Sequence, residues 1–292
     1  MHPARRGTII NYVEGIAVGA RRVRSPIVDG LFYPEDSEGV LSYVRGIGLR
    51  QGRGDLARAI VAPHGAWEIS GSLAGAAFAS AAGRNGQGKL ARVVVMGSIH
   101  DTKEDGIFLS NSDSFQTPLG DIPVDQEATG WLEAYSPAIR IDDIPHLHEH
   151  SIEVLLPFVK YFFPQASIVP ILMGGNDKRQ VDILANALQA VFAPIMDETL
   201  MAVSFNMKAR PDSRDGLGEV EECMGLFREG KLRRLQAIFD GGRITGCGCA
   251  LVNALIRSTL LDGSRPRLAS ESLLSARDRK DETVYYGAFS FV

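Results

Sequence analysis

The chain has 292 residues, 45% hydrophobic and 23% charged, which suits one large or two small globular domains and excludes a disordered chain. A formal charge of −4 leaves no basic footprint for nucleic acid, and no apolar run reaches the ~20 residues of a membrane span. The odd set Cys223, Cys247 and Cys249 is no disulfide framework and points to a reducing, cytoplasmic setting, so a small-molecule or protein partner is expected.

Residues 1–23 carry arginines at both ends of an apolar stretch that Asn11 and Glu14 interrupt. This reads as an N-terminal extension, a strand or short helix, rather than a secretory signal. Strands are then expected over 57–62, 92–97, 166–173, 199–205 and 283–292, and helices over 72–82, 124–135, 151–163, 177–192 and 249–261. In the fourth helix Val181, Leu184, Leu188 and Val191 recur every three or four residues, so one face is core. Strand alternating with helix, and no low-complexity divider, predicts a single α/β domain over 24–292 with a mostly parallel, covered sheet. The polar loop 209–218, with Pro211, Gly216 and Gly218, reads as a cleft loop.

Two strands end in histidines. His64 follows the first in Ala62-Pro63-His64-Gly65-Ala66-Trp67, and His100 follows the second in Gly97-Ser98-Ile99-His100-Asp101. Singly, each is explained by hydrogen bonding at a strand end. As a pair at the carboxyl ends of adjacent parallel strands, where open α/β proteins build their sites, they suggest one cleft. With Asp101 they would make the two-histidine, one-carboxylate set used for iron or zinc, and Trp67 is a candidate ligand contact.

The densest titratable run is Pro145-His146-Leu147-His148-Glu149-His150-Ser151. If extended, it sets its three histidines on one face, with Ser151 as a helix cap. His150 is then the best site candidate and His148 a ligand contact. Cys247 and Cys249 precede a helix in Thr245-Gly246-Cys247-Gly248-Cys249, a place where thiols become nucleophiles or soft ligands. Their C-x-C spacing is not the redox C-x-x-C, and they are also compatible with ordinary burial. Phosphate-loop, serine-hydrolase and zincin motifs are absent.

The blocks Arg24-Ser25-Pro26, Gly30-Leu31-Phe32-Tyr33-Pro34, Ala62-Pro63-His64, Met96-Gly97-Ser98-Ile99-His100, Thr117-Pro118-Leu119-Gly120-Asp121, Glu149-His150-Ser151-Ile152-Glu153 and Val284-Tyr285-Tyr286-Gly287-Ala288 occur in the order of the Memo family. The chain resembles that family, whose bacterial and archaeal members are named AmmeMemoRadiSam system protein B. The resemblance implies a fold similar to class III extradiol dioxygenases and a cleft binding iron or copper through two histidines and a cysteine. It also makes AMMECR-type and radical S-adenosylmethionine proteins expected partners.

Carried over by motif, His64 is the first ligand and Asp101 occupies the second ligand's position, beside the retained His100. Thr245 stands where the ligand cysteine belongs, and Cys247 substitutes only if its turn is reshaped. Asn206 and Ala209 replace the family's aspartate and histidine, which removes a proton-transfer group. Three readings follow: a metal-dependent redox enzyme with an altered ligand set and His150 as base or donor; a non-catalytic member that binds a ligand or protein; and a cysteine-dependent enzyme pairing Cys247 with His150.

Overall fold

The segments Ala-Ile-Val-Ala at 59–62 and Arg-Val-Val-Val-Met-Gly-Ser at 92–98 are apolar at nearly every position, the pattern of strands covered on both faces. In the computed structural model, which describes residues 21–48, 55–86, 90–100, 105–209, 214–270, 272–278 and 282–292, both lie inside an eight-stranded sheet. Its strands are β1 (Ala59–Ala62), β2 (Arg92–Ser98), β3 (Gly106–Leu109), β4 (Ile139–Ile141), β5 (Ser167–Gly174), β6 (Thr199–Ser204), β7 (Pro266–Leu268) and β8 (Phe289–Phe291). Their order is β7-β8-β1-β6-β2-β5-β3-β4. The central four, β1, β6, β2 and β5, run parallel, while β8 and β3 join them antiparallel.

Each central strand divides its side chains between two cores. Ala59, Val61, Val94 and Met96 pack with the helices Lys178–Phe192, Gly216–Arg228 and Cys249–Arg257. Ile60, Ala62, Val93 and Val95 pack with Ser37–Gly46, Ser72–Ser80 and Leu156–Phe162 on the opposite face. At about 25 cal/mol per Å² of apolar surface, these two layers supply the main stabilisation. The expected α/β class and mostly parallel sheet are present. No helix among the described residues is long and apolar enough to cross a membrane.

Three expected elements differ. The last strand is two: Thr283–Tyr286 pairs with Leu274–Arg277 in a hairpin, and Phe289–Phe291 enters the main sheet as β8. The break falls at Gly287, where a Cβ would press on the side chains of Met224, Phe289 and Met207. The helix expected over 151–163 starts late: a 3₁₀ turn, Glu153–Leu155, leads into Leu156–Phe162. Pro157 explains this, since proline fits the first turn of a helix but breaks its interior. The segment 143–148 is helical instead of extended, with the Asp142 carboxylate accepting from the Ile144 N–H at 3.0 Å as cap. Pro145 stands in that first turn, where no donor is needed.

Residues 1–20 of the expected extension and 210–213 of the expected cleft loop lie outside the described residues. The loop's far end, Gly216–Gly218, opens the helix Gly216–Arg228, capped by Asp215. Val23–Arg24 pairs with Ser114–Phe115 and begins a strap over the sheet. The strap is fastened by Glu153, which forms a buried ion pair with Arg24 and accepts from the main-chain N–H of Ile27 and Val28 and from the Tyr33 hydroxyl, each at 2.9 Å. Such satisfaction is what makes a buried carboxylate tolerable.

Candidate metal centre

Since β6 lies between β1 and β2 and all three are parallel, their carboxyl ends set His64, Ser204 and His100 side by side. The two imidazoles meet edge to face with their Nε2 atoms 3.3 Å apart. His64 is 2% exposed. Ser204 Oγ donates its single proton to the Ser151 carbonyl at 2.8 Å, so at 2.6 Å it accepts from His64 Nδ1–H. The His64 Nε2 lone pair therefore faces His100. Burial, followed by the charges of His100 and His150, pushes the His64 pKa well below its ordinary value and keeps the ring neutral.

His100 is held differently. Its Nδ1 donates to Glu149 Oε1 at 2.9 Å and its main-chain N–H to Glu149 Oε2 at 2.7 Å. Burial works against a charge on His100. The Cys247 side chain and the Glu149 carboxylate, both within hydrogen-bonding reach, outweigh it and raise the pKa to about 10. Burial likewise opposes ionisation of Glu149, but the His100 hydrogen bond, the charges of His100 and His150, and the Ser151 N–H hold the carboxyl at about 2.

Cys247 completes the cluster. Its Sγ and the two Nε2-bearing rings offer ligand atoms all within 4.8 Å of one another. The residue expected in the ligand position, Thr245, instead pairs with Lys208 across a short antiparallel bridge and donates to its carbonyl at 3.3 Å. Two glycines make the shift from Thr245 to Cys247. Gly246 (φ +114°) and Gly248 (φ +93°) lie so tightly on the main chain of 204–208 that a Cβ on either would collide with it. The turn is thereby pressed onto the end of β6, and Asn206 locks it: its N–H donates to the Cys247 carbonyl at 3.0 Å while its Oδ1 accepts from the His64 N–H at 3.2 Å.

Of the three histidines at 146–150 only His150 reaches the centre. Its ring stacks on His100 at 4.7 Å, stands 6.2 Å from His64 and packs on Phe32 at 5.0 Å. His146 is buried beneath the strap against the Phe108 carbonyl, and His148 is exposed on the helix Asp143–His148. Ser151 caps no helix; its Oγ donates to the Ser98 carbonyl at 2.8 Å. Trp67 is not at the centre but in the core, stacked on Phe158 at 4.2 Å with Nε1 donating to the Val154 carbonyl. Asp101 lies outside the described residues.

Cys249 Sγ lies 3.8 Å from the Ile244 carbonyl, at a cavity of about 360 Å³ that Ser98, Thr245, Gly246 and Gly248 also line. Burial raises its pKa well above the usual thiol value, which opposes the thiolate formation expected of a thiol at a helix start. Sequence reasoning missed Ser204 and the use of the Glu149 carboxylate. The serine ending the apolar strand Thr199–Ser204 was the available signal for the first, and the Glu149-His150-Ser151-Ile152-Glu153 block for the second.

Comparison with known proteins agrees with this architecture. The family model described as Memo-like protein matches residues 24–213. A MEMO1 family protein of Thermotoga petrophila is 28% identical over 280 residues, covering 92% of this chain and 99% of that one. Another, of Methanobrevibacter smithii, is 29% identical over 212 residues, covering 66% and 74%, and one of Thermococcus onnurineus is 34% identical over 173 residues, covering 57% and 58%. With its blocks in family order and its cleft built from them, this chain belongs to the Memo family.

Proposed function

We propose that the chain binds one transition-metal ion through His64 Nε2, His100 Nε2 and Cys247 Sγ and performs redox chemistry on a small molecule there, with His150 handling protons beside it. The observation that carries the reading is the 3.3 Å separation of the two Nε2 atoms. Two imidazole ligands at ~2.05 Å from a tetrahedral ion stand about 3.3 Å apart. Both Nδ1 atoms already have partners, the arrangement that orients ligating histidines. A thiolate with two imidazoles is a softer set than the carboxylate-containing one expected from Asp101, and favours copper over Fe(II).

A bound ion, held by His64, His100 and Cys247, would supply electron transfer and Lewis acidity. The residues do the rest. His64 enters as a neutral donor, Ser204 and Asn206 keep it and the Cys247 turn in place, and Phe32 screens one side of His150 from water. His150, stacked on His100, is placed to take or return a proton of a molecule bound beside these rings. The test is anaerobic loading with Cu(I) or Fe(II), followed by metal analysis. One ion per chain is expected, lost in Cys247→Ser; retention of no ion by the wild type overturns the reading.

A binding-only role is the second reading, favoured by Ala209. It pairs with Ile244 and brings no titratable group where the resemblance to the extradiol dioxygenases implies a histidine. Catechol ring opening is accordingly expected to be slower by the ~10²–10⁴-fold that such a group contributes. Oxygen uptake by the loaded protein beyond the amount that oxidises the bound ion separates the two readings, since a binding-only member does not turn over.

A further inference from the structure

The Glu149-His150-Ser151-Ile152-Glu153 block contributes more than His150. We propose that Glu149 is the positioning residue of the centre: it sets His100 so that Nε2 faces His64 and Cys247, and its charge, passed through Nδ1–H, makes His100 the stronger of the two imidazole donors. This rests on the metal-centre reading above and adds to it the residue that tunes the ion.

Glu149 is 4% exposed and fully engaged. Oε1 accepts from His100 Nδ1 at 2.9 Å, the His150 N–H at 2.7 Å and the Ser151 N–H at 2.6 Å; Oε2 accepts from the His100 N–H at 2.7 Å. Its oxygens lie close enough to His100 and His150 to form a second three-residue group of ligand type. With its lone pairs committed to four N–H donors, however, the carboxylate holds the centre instead of joining it. Binding both the ring and the main chain of one residue fixes His100 at two points, which a single hydrogen bond cannot do.

The carboxylate is itself held. Arg24, paired with Glu153, donates to the Glu149 carbonyl at 2.8 Å and the His146 carbonyl at 2.9 Å. Gly97 lets the same segment lie directly on β2, since a Cβ there would strike Ser151 and Ile152. A line of buried contacts thus runs from Glu153 through Arg24 and Glu149 to His100. The Nδ1 of His64 pairs instead with the neutral Ser204 hydroxyl. An anion on Nδ1–H raises ring basicity, and its effect is greater on a doubly than on a singly charged ion because it is electrostatic.

The test uses the full chain and Co(II) alone as probe, titrated against a chelator and followed by thiolate-to-cobalt absorption. Glu149→Gln is expected to weaken Co(II) binding about 10- to 100-fold, to shift the absorption band, and to weaken Cu(I) binding less. Glu149→Asp restores part of the loss, and Ser204→Ala costs less than Glu149→Gln. Equal Co(II) affinity and an unshifted band in Glu149→Gln overturn the proposal.

A glutamine amide faces main-chain donors, so folding is checked by thermal melting, and a second measurement needs no variant. In Zn(II)-loaded wild type with ¹⁵N-histidine, His100 is expected to keep a slowly exchanging Nδ1 proton and bind through Nε2. Ligation through Nδ1 overturns the proposal. Wild-type protein that binds no Co(II) overturns the metal-centre reading itself, a result distinct from a bound wild type with an indifferent Glu149→Gln.

Discussion

His64 and His100 stand at equivalent places, each two residues beyond a parallel strand, yet their surroundings oppose each other. His64 is sealed in, bonded to a neutral hydroxyl and kept unprotonated. His100, whose side chain is 28% exposed, leans on a carboxylate and carries a proton up to about pH 10. Equivalent sequence positions have thus become a ready donor and a donor that must first release a proton. The difference lies in which partner the strand order and the 149–151 segment bring to each Nδ1.

The largest effect should come from the sealed side. His64→Ala is expected to abolish stoichiometric metal binding, measured by metal analysis after anaerobic loading, because it leaves His100 and Cys247 as two of the three ligand atoms. If His64→Ala binds normally while His100→Ala does not, the assignment of His64 as the ready donor is wrong.

The open side should show itself in pH dependence. Because the His100 pKa is raised to about 10, an ion binding below that pH must displace its proton, and this proton alone makes affinity climb about tenfold per pH unit as pH rises toward 10. The measurement is competitive titration between pH 6 and 9. A pH-independent affinity would mean that His100 is already neutral.

His146 tests whether burial alone can produce the His64 behaviour. Burial lowers its pKa to about 4 against the ordinary 6.5, despite the Phe108 carbonyl and Asp143, which act in the other direction. With the folded pKa depressed, the unfolded chain binds the proton first. The stabilisation is complete above pH 6.5 and is lost as pH falls from 6.5 through 4, by about 3 kcal/mol. Urea unfolding of wild type and His146→Gln across that window should show the wild type falling more steeply; parallel slopes would contradict the burial argument.

Smaller still is Gly248→Ala, which forces a side chain into φ +93° against the Ser204 carbonyl. It should cost roughly 1–3 kcal/mol of stability and weaken metal binding by lifting Cys247 from the two rings. Cys223→Ala, at a fully buried thiol whose pKa burial raises to about 12, should leave metal stoichiometry untouched. Unfolding curves and metal analysis of the pair check both, and equal metal loss in the two variants would indicate general unfolding rather than ligation.

Much of the fold was legible because buried parallel strands announce themselves as continuous apolar runs. β1, β2, β5 and β6 were each located to within two residues. The local exceptions had local causes: Pro157 delayed one helix, Asp142 capped another where an extended run was expected, and Gly287 split the last strand. Trp67 was misassigned because its motif position, three residues after His64, says nothing about whether the ring turns toward the cleft or toward Phe158.

What the sequence by itself determined is the alternation of strand and helix and the placement of His64 and His100 at strand ends, since both depend on short-range periodicity and on where apolar runs stop. Tertiary structure alone decided that β6 lies between them and supplies Ser204, that paired positive-φ glycines press Cys247 rather than Thr245 into reach, and that the Glu149 carboxylate turns toward His100. All are long-range contacts; His100–Glu149 joins residues 49 positions apart and His64–Ser204 residues 140 apart. Their geometry is set by strand order and by how closely two backbones approach, and neither is encoded in the local pattern around any one residue.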